Sequence, residues 1–162
     1  MSVANVILGI LHVAAAVFIV GPMAILPMTA MRAIRAGSPT QVRTLARSTT
    51  IFSLLSLVVF ILGFGALGTS DPKYHTSISS TWIWLSIVFY VVALGLTLFV
   101  VVPAMRRAAD AIEGEEAVEA EDPAAKPAPP ARNGGYGALA GTSGIASLLL
   151  LAVVVLMAWK LQ

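Results

Sequence analysis

Four apolar stretches, Val3 to Met31, Thr49 to Gly68, Trp82 to Met105 and Tyr136 to Trp159, fill most of this chain. Each reaches the roughly 20 residues that a helix needs to cross a bilayer. Lipid offers no partner to an open N–H or C=O, so a segment this apolar must satisfy its own backbone as helix. The expectation is an all-α polytopic membrane protein with four transmembrane helices arranged as two helical hairpins. In a chain of 162 residues, 58% hydrophobic and 11% charged, no length remains for a soluble domain. One membrane domain therefore covers 1–162. Its first hairpin is 1–70, its outer loop 71–81 and its second hairpin 82–162, with an acidic Pro/Ala loop at 106–135. Met1-Ser-Val-Ala-Asn5 lacks a basic leader, and the apolar run behind it is too long for a signal peptide core, so the first helix reads as a retained anchor.

Charge sets the expected orientation. Arg32, Arg35, Arg43 and Arg47 follow the first stretch, and Arg106, Arg107, Lys126 and Arg132 follow the third, against Lys73 and Lys160 elsewhere. By the positive-inside bias both basic connections are cytoplasmic and both termini outside, an N-out/C-out topology. Tyr74, Trp82, Trp84 and Trp159 then gather at the outer headgroup level, where amphipathic aromatics anchor. A net charge of +2 with arginines at helix ends is no nucleic-acid footprint. The absence of cysteine excludes disulfides, thiolate catalysis and Cys-held metals.

Ala30-Met-Arg32 and Ala104-Met-Arg106 recur near equivalent helix ends, which suggests that the hairpins are parallel repeats. Pro22 and Pro27 should bend the first helix and leave carbonyls that neighbouring helices or water must satisfy. The connection after the third stretch opens as a helical extension, Met105 to Ala120. It then turns into Asp-Pro-Ala-Ala-Lys-Pro-Ala-Pro-Pro, which favours extended conformations.

Chemistry is sparse. His12 is the one ionisable residue inside a span, roughly 13 Å below the helix start at 1.5 Å per residue. Intramembrane ionisable groups are functional candidates, and His12, with His75 on the same side, could contact a haem, copper or a quinone. The structural alternative is a neutral imidazole bonded to a serine or carbonyl of a neighbouring helix. It is favoured because no second intramembrane histidine and no intramembrane carboxylate completes a site. Apart from Asp71, the carboxylates lie in one solvated connection without a histidine, so no acid/base pair, metal cluster or enzyme is expected. A small transporter would lack an intramembrane charge pair. Met23, Met28, Met31 and Met105 read as flexible apolar filler.

Packing features say more. Gly137-Ala-Leu-Ala-Gly141, continued by Gly144 and Ser147, gives the fourth helix a small-residue face on which another helix can approach closely. Ser53, Ser56 and Gly63 form a similar stripe on the second. These stripes could close the bundle or receive another subunit, with Glu115, Glu116 and Glu119 adding charge contacts to a partner. Arg32, Arg35, Arg43, Arg47, Arg106 and Arg107 read as topology anchors within reach of anionic lipids such as cardiolipin.

The run Leu11-His-Val-Ala-Ala-Ala-Val-Phe-Ile-Val-Gly-Pro22, in a long first span that closes on Arg32 and Arg35, resembles a small four-span bacterial family of integral membrane proteins of unknown function. The Ala/Val/Gly-rich, cysteine-free composition looks actinobacterial. Similar small proteins are accessory subunits of the respiratory supercomplex that joins cytochrome bcc to a haem-copper oxidase. The resemblance implies a non-catalytic accessory subunit of the bacterial plasma membrane, with no cofactor of its own and larger membrane subunits as partners. The alternative is a haem- or quinone-contacting redox protein using His12.

Overall fold

The computed structural model describes residues 3–68, 80–121 and 132–159, without the side chains of Glu119, residues 132–135 and Trp159. Within them the chain is all-helical, and four helices are long and apolar enough to cross a membrane. The first helix runs Val3–Ala15, passes through a π-helical turn at Ala16–Val20 and continues as Gly21–Arg35. The second is Pro39–Gly68. The third runs Thr81–Leu96, a second π-turn Thr97–Val101 and then Val102–Glu121. The fourth is Arg132–Trp159. His75, Lys73 and Tyr74 of the outer loop, and Lys126 and Lys160, lie outside the described residues.

The hairpin turn between the first two helices is built from local chemistry. Gly37 takes φ 67°, where a side chain would crowd the next carbonyl. Its N–H bonds Ile34 O at 3.1 Å and that of Ser38 bonds Ala33 O at 3.1 Å, the paired closure of a Schellman end. Pro39 then opens the second helix, where its missing N–H costs nothing. This helix thus starts ten residues before the apolar stretch does. Val42, Ala46 and Thr49 are buried along one side of its polar first turns, a stripe that overall hydropathy does not register.

Both π-turns have the same cause. A proline lacks the N–H for the carbonyl four residues back and its ring crowds that carbonyl. Pro22 stands four residues after Phe18 and Pro103 four after Phe99, and each phenylalanine lies inside a π-turn. The wider turn moves the carbonyl off the ring. This Phe-to-Pro unit recurs 81 residues apart, and both phenylalanines are strongly exposed. By contrast, the two Ala-Met-Arg triplets present different members to the core, Ala30 and Met105.

Packing differs along the bundle. At the arginine-rich end all four helices share one cluster, with Ala30, Ala33 and Ile34 against Val42, Ala46, Met105, Ala109, Ile112 and Leu139. Arg43 reaches from the second helix to Asp110 and Glu113 on the third, both at 2.7 Å, and Arg35 lies 4.9 Å over the Tyr136 ring. Midway, Met23, Tyr90, Ala93 and Leu150 form a second cluster. Beyond it, Val3–Ala15 has no buried residue and rests chiefly on the second helix. The large apolar side chains left exposed along the spans suit lipid, the solvent their composition requires.

Candidate functional site

His12 sits where the first helix meets the second. Its Nδ1 stands 2.9 Å from the carbonyl oxygen of Val59. A carbonyl only accepts, so Nδ1 carries the proton, and in the neutral ring Nε2 keeps its lone pair. The ring fits against Gly63: a Cβ there would lie 2.9 Å from Cε1 and 3.3 Å from Nδ1 of His12. Gly63 is therefore a notch shaped to an imidazole. One turn further on, the Leu8 side chain closes on Gly65 at 3.8 Å from its Cβ position. The carbonyl partner that the sequence leaves open is thus Val59. Among the described residues no group of three or more His, Asp or Glu side chains could hold a metal ion.

A second polar feature crosses the bundle interior. Ser56 Oγ donates to Ser53 O at 2.7 Å, which uses its only proton, so the Tyr90 hydroxyl 2.8 Å away donates to Ser56. Tyr90 stacks on Phe60, with centroids 5.0 Å apart, and Phe60 meets Phe64 edge-on at 4.9 Å. Ser53, Ser56 and Thr49 are fully buried. Ser53 Oγ has no hydrogen-bond partner among the described residues. Sequence reasoning finds the serine stripe but misses Tyr90. A tyrosine mid-span was the available signal, because its hydroxyl must find a partner in hydrocarbon.

On the fourth helix, Gly137, Gly141 and Gly144 present Cβ positions with nothing within 4 Å. The face opposite them is buried through Leu139, Ser143, Ala146 and Leu150. Ser147 turns inward and donates to Ala24 O at 3.1 Å, beside the Met23 carbonyl that Pro27 leaves without an N–H. On the acidic extension Glu113 is held by Arg43, Glu115 is half-buried and Glu116 is exposed. Glu119 keeps its helical backbone but its side chain lies outside the described set. Of the arginines, Arg43 and Arg35 are engaged within the bundle, while Arg32, Arg47, Arg106 and Arg107 are exposed at the same end.

A family model described as predicted integral membrane protein (DUF2269) matches residues 6–161, from the first helix through the fourth. The chain belongs to this family. It is a multi-pass integral membrane protein, and His12, the Ser56–Tyr90 pair and the glycine face all lie within the matched span. No curated protein and no solved structure matches the chain.

Proposed function

We propose that the protein is a non-catalytic association subunit of a larger assembly in the bacterial plasma membrane. The observation that carries this is the bare glycine face: a Cβ at Gly137, Gly141 or Gly144 would find no neighbouring atom within 4 Å, although the other side of the same helix is packed. Lipid tails fill such a face poorly, whereas a partner helix gains close van der Waals contact there. Glu116, exposed on the acidic extension at the arginine-rich end, adds a charge contact for a basic partner surface, with Glu115 and Glu119 on the same segment. The exposed Arg32, Arg47, Arg106 and Arg107 suit the phosphates of anionic lipids such as cardiolipin at the assembly's edge. A respiratory-chain supercomplex, with cytochrome bcc and a haem-copper oxidase as the larger subunits, is the assembly that the sequence resemblance suggests.

The test is co-purification of the native protein in mild detergent with mass spectrometry of what accompanies it. Larger membrane subunits should be retained by the wild type and lost from Gly141→Leu. Charge reversal of Glu115, Glu116 and Glu119 should weaken retention more at low than at high salt, since exposed pairs are screened over about 8 Å at physiological ionic strength. A wild-type chain that always migrates alone rules the reading out.

A further inference from the structure

The first and third helices carry the same backbone break, and packing secures it in only one of them. In the third helix Thr97 and Val101 of the π-turn are buried and the Thr97 hydroxyl donates to Ala93 O at 2.8 Å. The segment before that turn is buried through Ile83, Ser86, Tyr90 and Ala93. In the first helix neither the π-turn Ala16–Val20 nor the segment before it, Val3–Ala15, has a buried residue. We propose that Val3–Ala15 is a hinged arm, which pivots at Ala16–Val20 and is latched to the second helix by the His12 ring at Val59 and Gly63.

Pivot and latch each follow from local chemistry. Pro22 cannot donate to the Phe18 carbonyl, so the backbone ladder is interrupted where the pivot lies. Gly21, beside Pro22, has nothing within 4 Å of its Cβ position, so no neighbour stands against the turn there. Beyond the pivot the arm is continuous helix, and its backbone stays satisfied whether docked or released. Its exposed Val6, Ile10 and Val13 side chains suit lipid. Because lipid tails are as apolar as a neighbouring helix, separating the arm from the bundle meets little solvation penalty. The ring is what resists. His12 Nδ1–H donates to Val59 O at 2.9 Å, and release would leave that donor bare in hydrocarbon. The notch at Gly63 seats the ring closely, since a Cβ there would stand 2.9 Å from Cε1. Leu8, 3.8 Å from the Cβ position of Gly65, extends the contact by ordinary van der Waals packing. The docked arm thus covers the second helix from Val59 to Gly65, and the released arm opens that face to the bilayer.

The experiment uses the absence of cysteine: two introduced cysteines take spin labels specifically. Double electron–electron resonance on the full chain, one per nanodisc, measures Val6→Cys with Val88→Cys, from the arm to the third helix. Val88→Cys with Val154→Cys is the reference pair between the third and fourth helices, and all three positions are exposed. With His12 present the arm pair should give one dominant distance. His12→Ala should raise the population at other distances about 5–30-fold, the scale for losing one such contact, and leave the reference pair unchanged. Gly63→Ala, which pushes the ring off its seat, should act in the same direction. Adding Pro22→Ala to His12→Ala restores an N–H for Phe18 O and should narrow the released distribution. An arm pair that keeps its wild-type distribution in His12→Ala overturns the proposal, as does a wild-type arm pair already spread as widely as that variant. If His12→Ala broadens the reference pair too, Gly63→Ala decides, and an unchanged arm pair or a broadened reference pair there overturns the proposal as well.

Discussion

Along the second helix the small residues are filled: Ser53 and Ser56 are fully buried, Ser56 takes the Tyr90 hydroxyl, and Gly63 receives the His12 ring. Along the fourth helix Gly137, Gly141 and Gly144 look much the same in sequence and face open space. A small residue in a membrane helix thus marks room for close approach without saying what approaches. Only the packing of the opposite side decides. In the second helix the stripe is the inward face. In the fourth that place is taken by Leu139, Ser143, Ala146 and Leu150, so the glycines are turned outward.

The contrast breaks most visibly if the filled stripe tolerates bulk. Ser56→Leu would drive an isobutyl group into a closed seam and strip Tyr90 of its acceptor. Overpacking and an orphaned buried hydroxyl together should cost about 2–5 kcal/mol, read as a lowered unfolding midpoint in detergent or bicelles. An unchanged midpoint would show that the seam is looser than its burial implies.

Gly63→Ala should come next, at about 1–3 kcal/mol, because its methyl would stand 2.9 Å from His12 Cε1. Removing the obstruction should restore part of that loss, so Gly63→Ala combined with His12→Ala should be less destabilised than the sum of the two single changes. Additive losses in that double-mutant cycle would mean that the ring and the glycine do not share a contact. On the open stripe, Gly141→Leu should leave the isolated bundle within about 0.5 kcal/mol of wild type, since no neighbouring atom stands in the way. Marked unfolding of Gly141→Leu would turn that face into an internal seam and remove the main support for the association reading.

Much of the architecture was readable because hydrocarbon admits so few backbone solutions, and a run such as Thr49 to Gly68 can only be a helix there. Helix ends were less readable. The second helix extends back to Pro39 because Val42 and Ala46 find Ala30, Ile34 and Met105, a tertiary fact with weak local hydropathy behind it. Phe18 to Pro22 and Phe99 to Pro103 share a π-turn because proline geometry, unlike an Ala-Met-Arg step, dictates backbone shape. His12 was legible as a candidate, but Val59 and Gly63 were not. Choosing Gly63 over Gly65 or Gly68 requires the relative depth and rotation of two helices, which composition does not encode.

The smallest effect belongs to the ion pairs that fasten the second helix to the third, outside this contrast. Arg43 meets Asp110 and Glu113 at 2.7 Å, but its side chain is 50% exposed and theirs are 65% and 42% exposed. Water and salt screen such contacts, and ordering three long side chains consumes part of the gain. Arg43→Gln should therefore cost only about 0–1 kcal/mol, less at high salt, and far less than Ser56→Leu. The replacement leaves Asp110 and Glu113 facing each other without a cation, so Asp110→Asn placed on the Arg43→Gln background should recover some of the small loss. A loss above about 2 kcal/mol that salt does not diminish would mean that these charges, and not the apolar cluster of Ala30, Met105 and Leu139, hold the arginine-rich end together.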